Sequence, residues 1–306
     1  MKQHEGDTVA NERLSGVFAA IATPIERKGA PDHARCIALA RHLIETGCDG
    51  LNVLGTTGEA TSFSLDERKA LMTAYHDAGL PLHKLMVGTG AAAVADAVAL
   101  TRHAAALGFG GALVLPPFYY KGVPDEGLVA YVDALVAGTA DTPIPLYLYH
   151  YPALSGLPWP MPLIARLREK FGARIAGLKD SSGDLRFSRE ASTVAADFDV
   201  FPSSEAVLLE ARGGAFAGCI SATANLNADL CARAWRQGDR TALDGAVAIR
   251  SLFDGKPLVA GVKALLSHIH GDPALAAVKP PLAGYSAAER AAVASGYDAV
   301  RAKRVA

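Results

Sequence analysis

Short runs rich in Val, Ile, Leu, Phe and Tyr alternate along the chain with longer segments whose apolar residues recur every three or four positions. The runs predict strands over 16–23, 50–55, 84–90, 111–117, 145–152, 175–182, 198–204 and 217–225. The segments between them read as amphipathic helices. In 64–79, Ser64 opens a Ser-x-x-Glu capping box with Glu67, and Gly79 sits where a helix-ending glycine belongs. In 93–108, Val94, Val98, Leu100, Ala104 and Leu107 supply an apolar stripe. Eight strands, each followed by a helix at intervals near 30 residues, match the count of a closed (β/α)₈ TIM barrel. A doubly wound open sheet is the competing layout, but the first strand runs into Ala22-Thr23-Pro24 with no Gly-x-Gly-x-x-Gly turn. Beyond Asn225 the strand signal stops and helical patterns remain over 227–237, 241–253, 262–268 and 287–303. The expected organisation is therefore an N-terminal segment over 1–15, a barrel over 16–239 and a C-terminal helical extension over 240–306, with the first of those four helices closing the barrel.

Composition narrows the function classes. With 306 residues, 50% of them hydrophobic and 20% charged, the chain is too apolar for a disordered segment. Its formal charge of -1 lacks the positive field that nucleic acid binding draws on. Cys36, Cys48, Cys219 and Cys231 form no Cys-x-x-Cys pair and fall in apolar stretches, which points to reduced thiols and a cytoplasmic setting. The first 15 residues are polar, mixed in charge and read as flexible, with no apolar core of an export signal. No apolar run reaches the roughly 18 to 20 residues of a membrane span.

In a barrel of this kind the chemistry gathers where the strands end. Strand two ends in Gly55-Thr56-Thr57-Gly58-Glu59, strand four in Pro116-Pro117-Phe118-Tyr119-Tyr120, strand five in Tyr149-His150-Tyr151-Pro152, and strand six in Gly177-Leu178-Lys179-Asp180-Ser181-Ser182. Alternation puts Ile175, Gly177 and Lys179 on one face of strand six, with Gly177 leaving room below the lysine. Burial disfavours the charged form of an amine, and a neutral amine adds to a ketone to give an imine. The phenol of Tyr149, one strand over, is placed to move protons there. Thr56 and Thr57 between two glycines offer hydroxyls and close backbone N–H groups to a carboxylate. Each residue taken singly has a plainer reading. A strand-end lysine is commonly a solvated edge residue, a lone tyrosine packs, a Gly-Thr-Thr-Gly stretch turns the chain, and Glu59 serves a helix N-terminus. Their shared location at strand ends favours a site that joins a 2-keto acid to Lys179.

These motifs resemble the dihydrodipicolinate synthase and N-acetylneuraminate lyase family of Schiff-base enzymes, over nearly the whole chain from Gly16 to at least Asn225. Gly55 to Glu59 is similar to the family's GTTGE loop, which implies that its hydroxyls and amides bind the carboxylate of pyruvate. The resemblance implies that Lys179, within Gly-Leu-Lys-Asp-Ser-Ser-Gly-Asp, forms the imine and that Tyr149 shuttles protons. It further implies that Tyr119 enters a neighbouring subunit's site to complete a hydroxyl relay with Thr56. Substrate contacts are implied at Thr57, Gly58, Ser203, Glu205 and Ile220. A homotetramer or dimer, a barrel with a helical extension and chemistry without metal or organic cofactor complete what the resemblance implies.

Departures bear on the second substrate. Leu154 stands where the synthases carry an arginine for the aldehyde's carboxylate, and Ala153-Leu154-Ser155-Gly156 looks like the lyase branch. That branch holds a polyhydroxylated chain with an acidic pair after strand seven, and Phe201-Pro202-Ser203-Ser204-Glu205-Ala206 retains one carboxylate. Asparagine is usual where His150 stands. Phe118 replaces an allosteric tyrosine of lysine-inhibited synthases. The expected activity is a lyase or aldolase acting on pyruvate or a longer 2-keto acid. The alternatives are condensation of pyruvate with aspartate semialdehyde, cleavage or dehydration of a 2-keto-3-deoxy acid, and a keto-acid sensor without turnover. His268 and His270 diverge in direction on a helix, and Asp180 and Asp184 suit the start of the next helix better than a metal.

Overall fold

A computed structural model of the chain describes residues 13–303. Its strands are β1 (Gly16–Ala20), β2 (Gly50–Val53), β3 (Leu85–Gly88), β4 (Gly111–Val114), β5 (Leu146–His150), β6 (Ile175–Asp180), β7 (Asp199–Pro202) and β8 (Gly218–Ser221). They form one parallel ladder in the order β8, β1, β2, β3, β4, β5, β6, β7. Ala217 N–H donates to the Val200 carbonyl at 3.0 Å across the remaining gap, so the sheet curls nearly to closure as a TIM barrel. The apolar runs overshoot these strands at their C-terminal ends. There the chain leaves the ladder to build the loops of the barrel mouth, and Leu54, the first residue past β2, has a φ of 52°.

Two cores result from the two faces of the strands. The inner one fills the barrel with Leu14, Phe18, Ala20, Met86, Leu113, Tyr147, Tyr149, Phe201 and Ile220. Phe18 meets Phe201 edge-on at 5.5 Å between ring centroids. The outer, larger core lies between sheet and helices. At the N-terminal end of the barrel the Tyr147 hydroxyl donates to Asp199 at 3.4 Å, and Arg13 Nε donates to the same carboxylate at 3.1 Å. Arg13 and the buried Leu14 are thus fixed to the barrel rather than part of a loose N-terminal segment, while residues 1–12 lie outside the described residues.

Helix Leu65–Asp77 begins with the expected capping box: Glu67 N–H donates to Ser64 Oγ at 3.2 Å, and Ser64 N–H donates to the Glu67 carboxylate at 2.8 Å. Helix Val94–Leu107 keeps most of the expected stripe, with Leu100 and Ala104 buried and Val98 and Leu107 packed against the core. It buries Ala97, Leu100, Thr101 and Ala104, and Val94 is exposed. The Thr101 hydroxyl donates to Ala97 O at 2.7 Å and lies 2.9 Å from Thr89 Oγ1, so its polar group is satisfied within the buried face.

Strand β6 departs from simple alternation. Leu146 of β5 pairs with Ile175 and Tyr147 with Gly177, which leaves Ala176 as an extra, unpaired residue. Ile175 therefore packs outward with Leu178, not on the face of Lys179. Gly177 does face inward. A Cβ there would stand 2.0 Å from Asp199 O and 2.9 Å from the Tyr147 ring.

Helix Ala224–Gln237 covers the last strand, starting three residues before the pattern predicted and bending at Asn227 (φ -144°, ψ 28°). Helices Arg240–Ser251, Leu258–His270 and Ala287–Ala302 follow as the extension. The four cysteines are buried and unpaired. Among the described residues no helix is long and apolar enough to cross a membrane.

Candidate active site

A cavity of about 740 Å³ opens at the C-terminal ends of the strands, walled on one side by barrel residues and on the other by the helical extension. Lys179 reaches it from the end of β6 and is 3% exposed. Its Nζ lies 4.4 Å from the centroid of the Tyr149 ring, the strand neighbour to which Lys179 is paired in register. Among the described residues this amine has no hydrogen-bond or carboxylate partner. The Tyr149 and Thr56 hydroxyls are hydrogen-bonded at 3.1 Å, so amine, phenol and threonine stand in a row.

The loop after β2 is shaped for this contact. Gly55 has no room for a side chain, since a Cβ would lie 2.5 Å from Asn52 Oδ1. Thr56 and Thr57 line the cavity, Thr57 nearly buried. Glu59, with a left-handed φ of 53°, does not cap the following turn by its side chain. Its carboxylate instead pairs with Lys263 of helix Leu258–His270 and accepts from the Lys279 backbone N–H at 2.6 Å. Lys263 also donates to Thr23 O at 2.9 Å. Both side chains of this ion pair are at most 1% exposed. Burial pulls the Lys263 ammonium down from its usual value, and the charge of Glu59 pushes it back up. Two lysines are thus buried near the cavity, one fully partnered and the other not.

The end of β5 is held from behind by Trp159, whose indole N–H donates to Tyr149 O at 3.2 Å and whose backbone N–H donates to His150 Nδ1 at 3.0 Å. Burial holds the His150 imidazole below its ordinary value, against the opposing charge of Asp180. Asp180 points away from the cavity, accepting from Ser182 N–H at 2.9 Å and from the Ser188 hydroxyl at 2.6 Å. Asp184 caps helix Leu185–Ala191, as expected. Ser203 and Ile220 line the cavity.

Three expected site residues stand elsewhere. Glu205 is fully buried behind the wall, where it accepts from Ser221 Oγ at 2.7 Å, Thr223 Oγ1 at 2.6 Å, Asn227 Nδ2 at 3.0 Å and Arg250 Nη1 at 3.3 Å. With its oxygens so occupied, it is a structural carboxylate rather than a cavity contact. Gly58 is off the cavity wall, and its carbonyl accepts from the Thr23 hydroxyl at 2.9 Å, which ties the loop to the end of β1. Tyr119 is 74% exposed, stacked edge-on against Tyr120 and outside the cavity of its own chain. His268 pairs with Asp298 at 3.0 Å, and His270 meets His42 edge-on, so neither is near the mouth.

Residues 13–299 match the sequence profile of the dihydrodipicolinate synthetase family. The chain belongs to that family. An uncharacterized DapA-like lyase of Chloroflexus aurantiacus is 33% identical over 296 residues, 94% of this chain and 97% of the relative. The crystal structure of dihydrodipicolinate synthase from Agrobacterium tumefaciens superposes with a TM-score of 0.87 at 27% identity, covering 93% of this chain and 99% of that one. The fold also matches YagE, a prophage protein of the dihydrodipicolinic acid synthase family from E. coli K12 solved in complex with pyruvate. There the TM-score is 0.84 at 24% identity, over 94% and 98% of the two chains. As a family member the protein is a lyase of the Schiff-base, class I aldolase type.

What strand-end reasoning missed comes from outside the barrel. Arg250, Leu258 and Leu282 line the cavity from the extension of this family member. Lys263 carried a visible signal, a single charge inside the apolar run Leu258–Leu266, whereas nothing in the spacing around Arg250 marks it.

Proposed function

We propose that Lys179 joins a 2-keto acid, pyruvate or a longer homologue, as an imine and uses it to make or break a carbon–carbon bond. The observation that carries this reading is a lysine 3% exposed, at the base of a cavity, with no anionic partner among the described residues. That amine lies over the Tyr149 ring and faces the cavity, where a bound ketone can meet it. Thr56 and Thr57 receive the substrate carboxylate. The amine nitrogen adds to the keto carbon, the oxygen takes up protons and departs as water, and a protonated imine remains. Tyr149, hydrogen-bonded to Thr56, moves the protons. Loss of a proton from the adjacent carbon gives an enamine that attacks an aldehyde; run backwards, the same step cleaves the bond β to the imine carbon. Elimination of water from a 2-keto-3-deoxy acid starts from the imine of the intact acid: a proton leaves its C3, and the resulting enamine expels the C4 hydroxyl, which takes up a proton and departs as water.

The pyruvate bound in the relative YagE supports the choice of keto acid. Borohydride with pyruvate is expected to leave a lactyl-sized mass on the peptide containing Lys179, and no adduct under conditions that trap an authentic class I aldolase refutes the proposal. A trapped imine without turnover of any 2-keto acid would instead make the protein a sensor. Pyruvate with aspartate semialdehyde tests the synthase reaction. We further propose a cytoplasmic homo-oligomer, tetramer or dimer, in which the exposed Tyr119 reaches a neighbouring copy. The buried, unpaired thiols favour the reducing compartment.

A further inference from the structure

The cavity is rich in carbon, with Leu115, Tyr151, Leu154, Ile220 and Leu258 among its lining residues. Two guanidinium groups also reach it. Arg68 is 5% exposed and directs Nη2 to Gly88 O at 2.8 Å, with weaker contacts to Gly90 O, so both Nη groups serve the backbone and only its buried Nε is left without a partner among the described residues. Arg250, at the end of helix Arg240–Ser251, is different. Only its Nη1 is engaged, at 3.3 to 3.4 Å from Glu205, Ser221 and Thr223. Among the described residues Nε and Nη2 have no partner, and the side chain is 28% exposed.

Glu205 anchors one prong of the guanidinium from behind, which leaves the other edge as a pre-oriented donor pair. Arg250 and the amine of Lys179 line the same cavity, together with Tyr149 and Tyr151. Lys179 lies over the Tyr149 ring, and that ring is 5.9 Å from the Tyr151 ring. Burial raises the Tyr151 phenol above its usual value, and the charge of Arg250 acts on it in the opposite sense, so Arg250 is within electrostatic reach.

We infer that Arg250 selects second substrates that carry a carboxylate, an aldehyde with an apolar spacer ending in an acid, or the keto acid from which that fragment is released. The inference rests on the imine reading of Lys179 and adds the partner's chemistry. It also places the charge that Leu154 cannot supply on the helical extension, away from the strand-five end.

Matched aldehydes test it: butanal against succinic semialdehyde, and benzaldehyde against 2-carboxybenzaldehyde, each with pyruvate and full-length protein. The carboxylated member of each pair is expected to be favoured about 10- to 100-fold in kcat/KM, mostly through KM. In Arg250→Met the ratio is expected to fall to near one. Arg250→Lys keeps a cation beside Glu205 but loses the fork, and is expected to retain only part of the preference; it decides the question where Arg250→Met fails to fold. Equal use of both members by wild type that traps pyruvate on Lys179 overturns the inference alone. A preference that survives in either folded variant at wild-type strength does the same. Failure to trap pyruvate refutes the lysine reading instead.

Discussion

Replacing Lys263 by Met tests whether the extension holds the substrate loop through a buried charge. Methionine matches the lysine stem in length and leaves little cavity. What changes is that Glu59, fully buried, keeps only the Lys279 N–H at 2.6 Å, while Thr23 O loses its ammonium donor. Stranding one partner of a buried ion pair costs about 3 to 5 kcal/mol, and the surviving N–H puts this case toward the lower end. Unfolding entropy of about 2.1 cal/mol/K per residue gives roughly 0.6 kcal/mol/K for this chain, so the melting temperature should drop by about 5 to 8 °C. Differential scanning calorimetry measures this directly. The double variant Glu59→Gln/Lys263→Met removes both charges and is expected to be more stable than the sum of the two single losses by about 2 kcal/mol. KM for pyruvate should rise in Lys263→Met, because Thr56 and Thr57 precede the stranded glutamate in the same loop. A melting point within about 1 °C of wild type, or single losses that simply add, would refute the argument that this pair is coupled and dry.

Two further outcomes are expected. Tyr149→Phe keeps the ring beneath the Lys179 amine but removes the hydroxyl bonded to Thr56, so turnover should slow by about 10²- to 10⁴-fold while imine trapping persists; an unchanged rate removes the phenol from proton transfer. His150 has a folded-state pKa below its unfolded one, so its contribution is complete above the usual histidine range near pH 6.5 and is lost as pH falls through the lower, folded value. Protonation would also expel the Trp159 N–H from Nδ1. Denaturant titrations of His150→Asn from pH 7.5 to 4.5 should show a shallower acid loss than wild type, and parallel curves would contradict this.

Much of the fold was legible because it is written in local periodicity. Eight apolar runs with helices between them predict the barrel, and Ser64 with Glu67 marks a helix start that the structure shows. The misses have physical causes. On helix Val94–Leu107 the stripe included Val94, which is exposed in the first turn, and passed over Thr101, which is buried because its hydroxyl bonds to Ala97 O within the helix. Ile175 was placed inward because alternation assumes an unbroken ladder. At the site, Lys179, Tyr149, Thr56 and Thr57 come together as expected, since they lie at strand ends whose order follows the chain. Glu205 did not, because a carboxylate near a strand end looks the same in sequence whether it faces a cavity or a cluster of hydroxyls. Lys263 reaches Glu59 across 204 residues of sequence and Arg250 reaches Glu205 across 45, distances over which periodicity carries no information.

The unpaired Ala176 gives reactivity a dependence on parity. Side chains along a strand switch sides with every residue, so the number of residues between the floor of the barrel and the amine must be correct as well as their kinds. Deleting that alanine would force a choice between driving Ile175 into the aromatic interior and turning the amine out toward the helices. Changing it to another small residue would do neither. In this strand, insertions and deletions are therefore changes of chemistry, while many substitutions remain changes of detail.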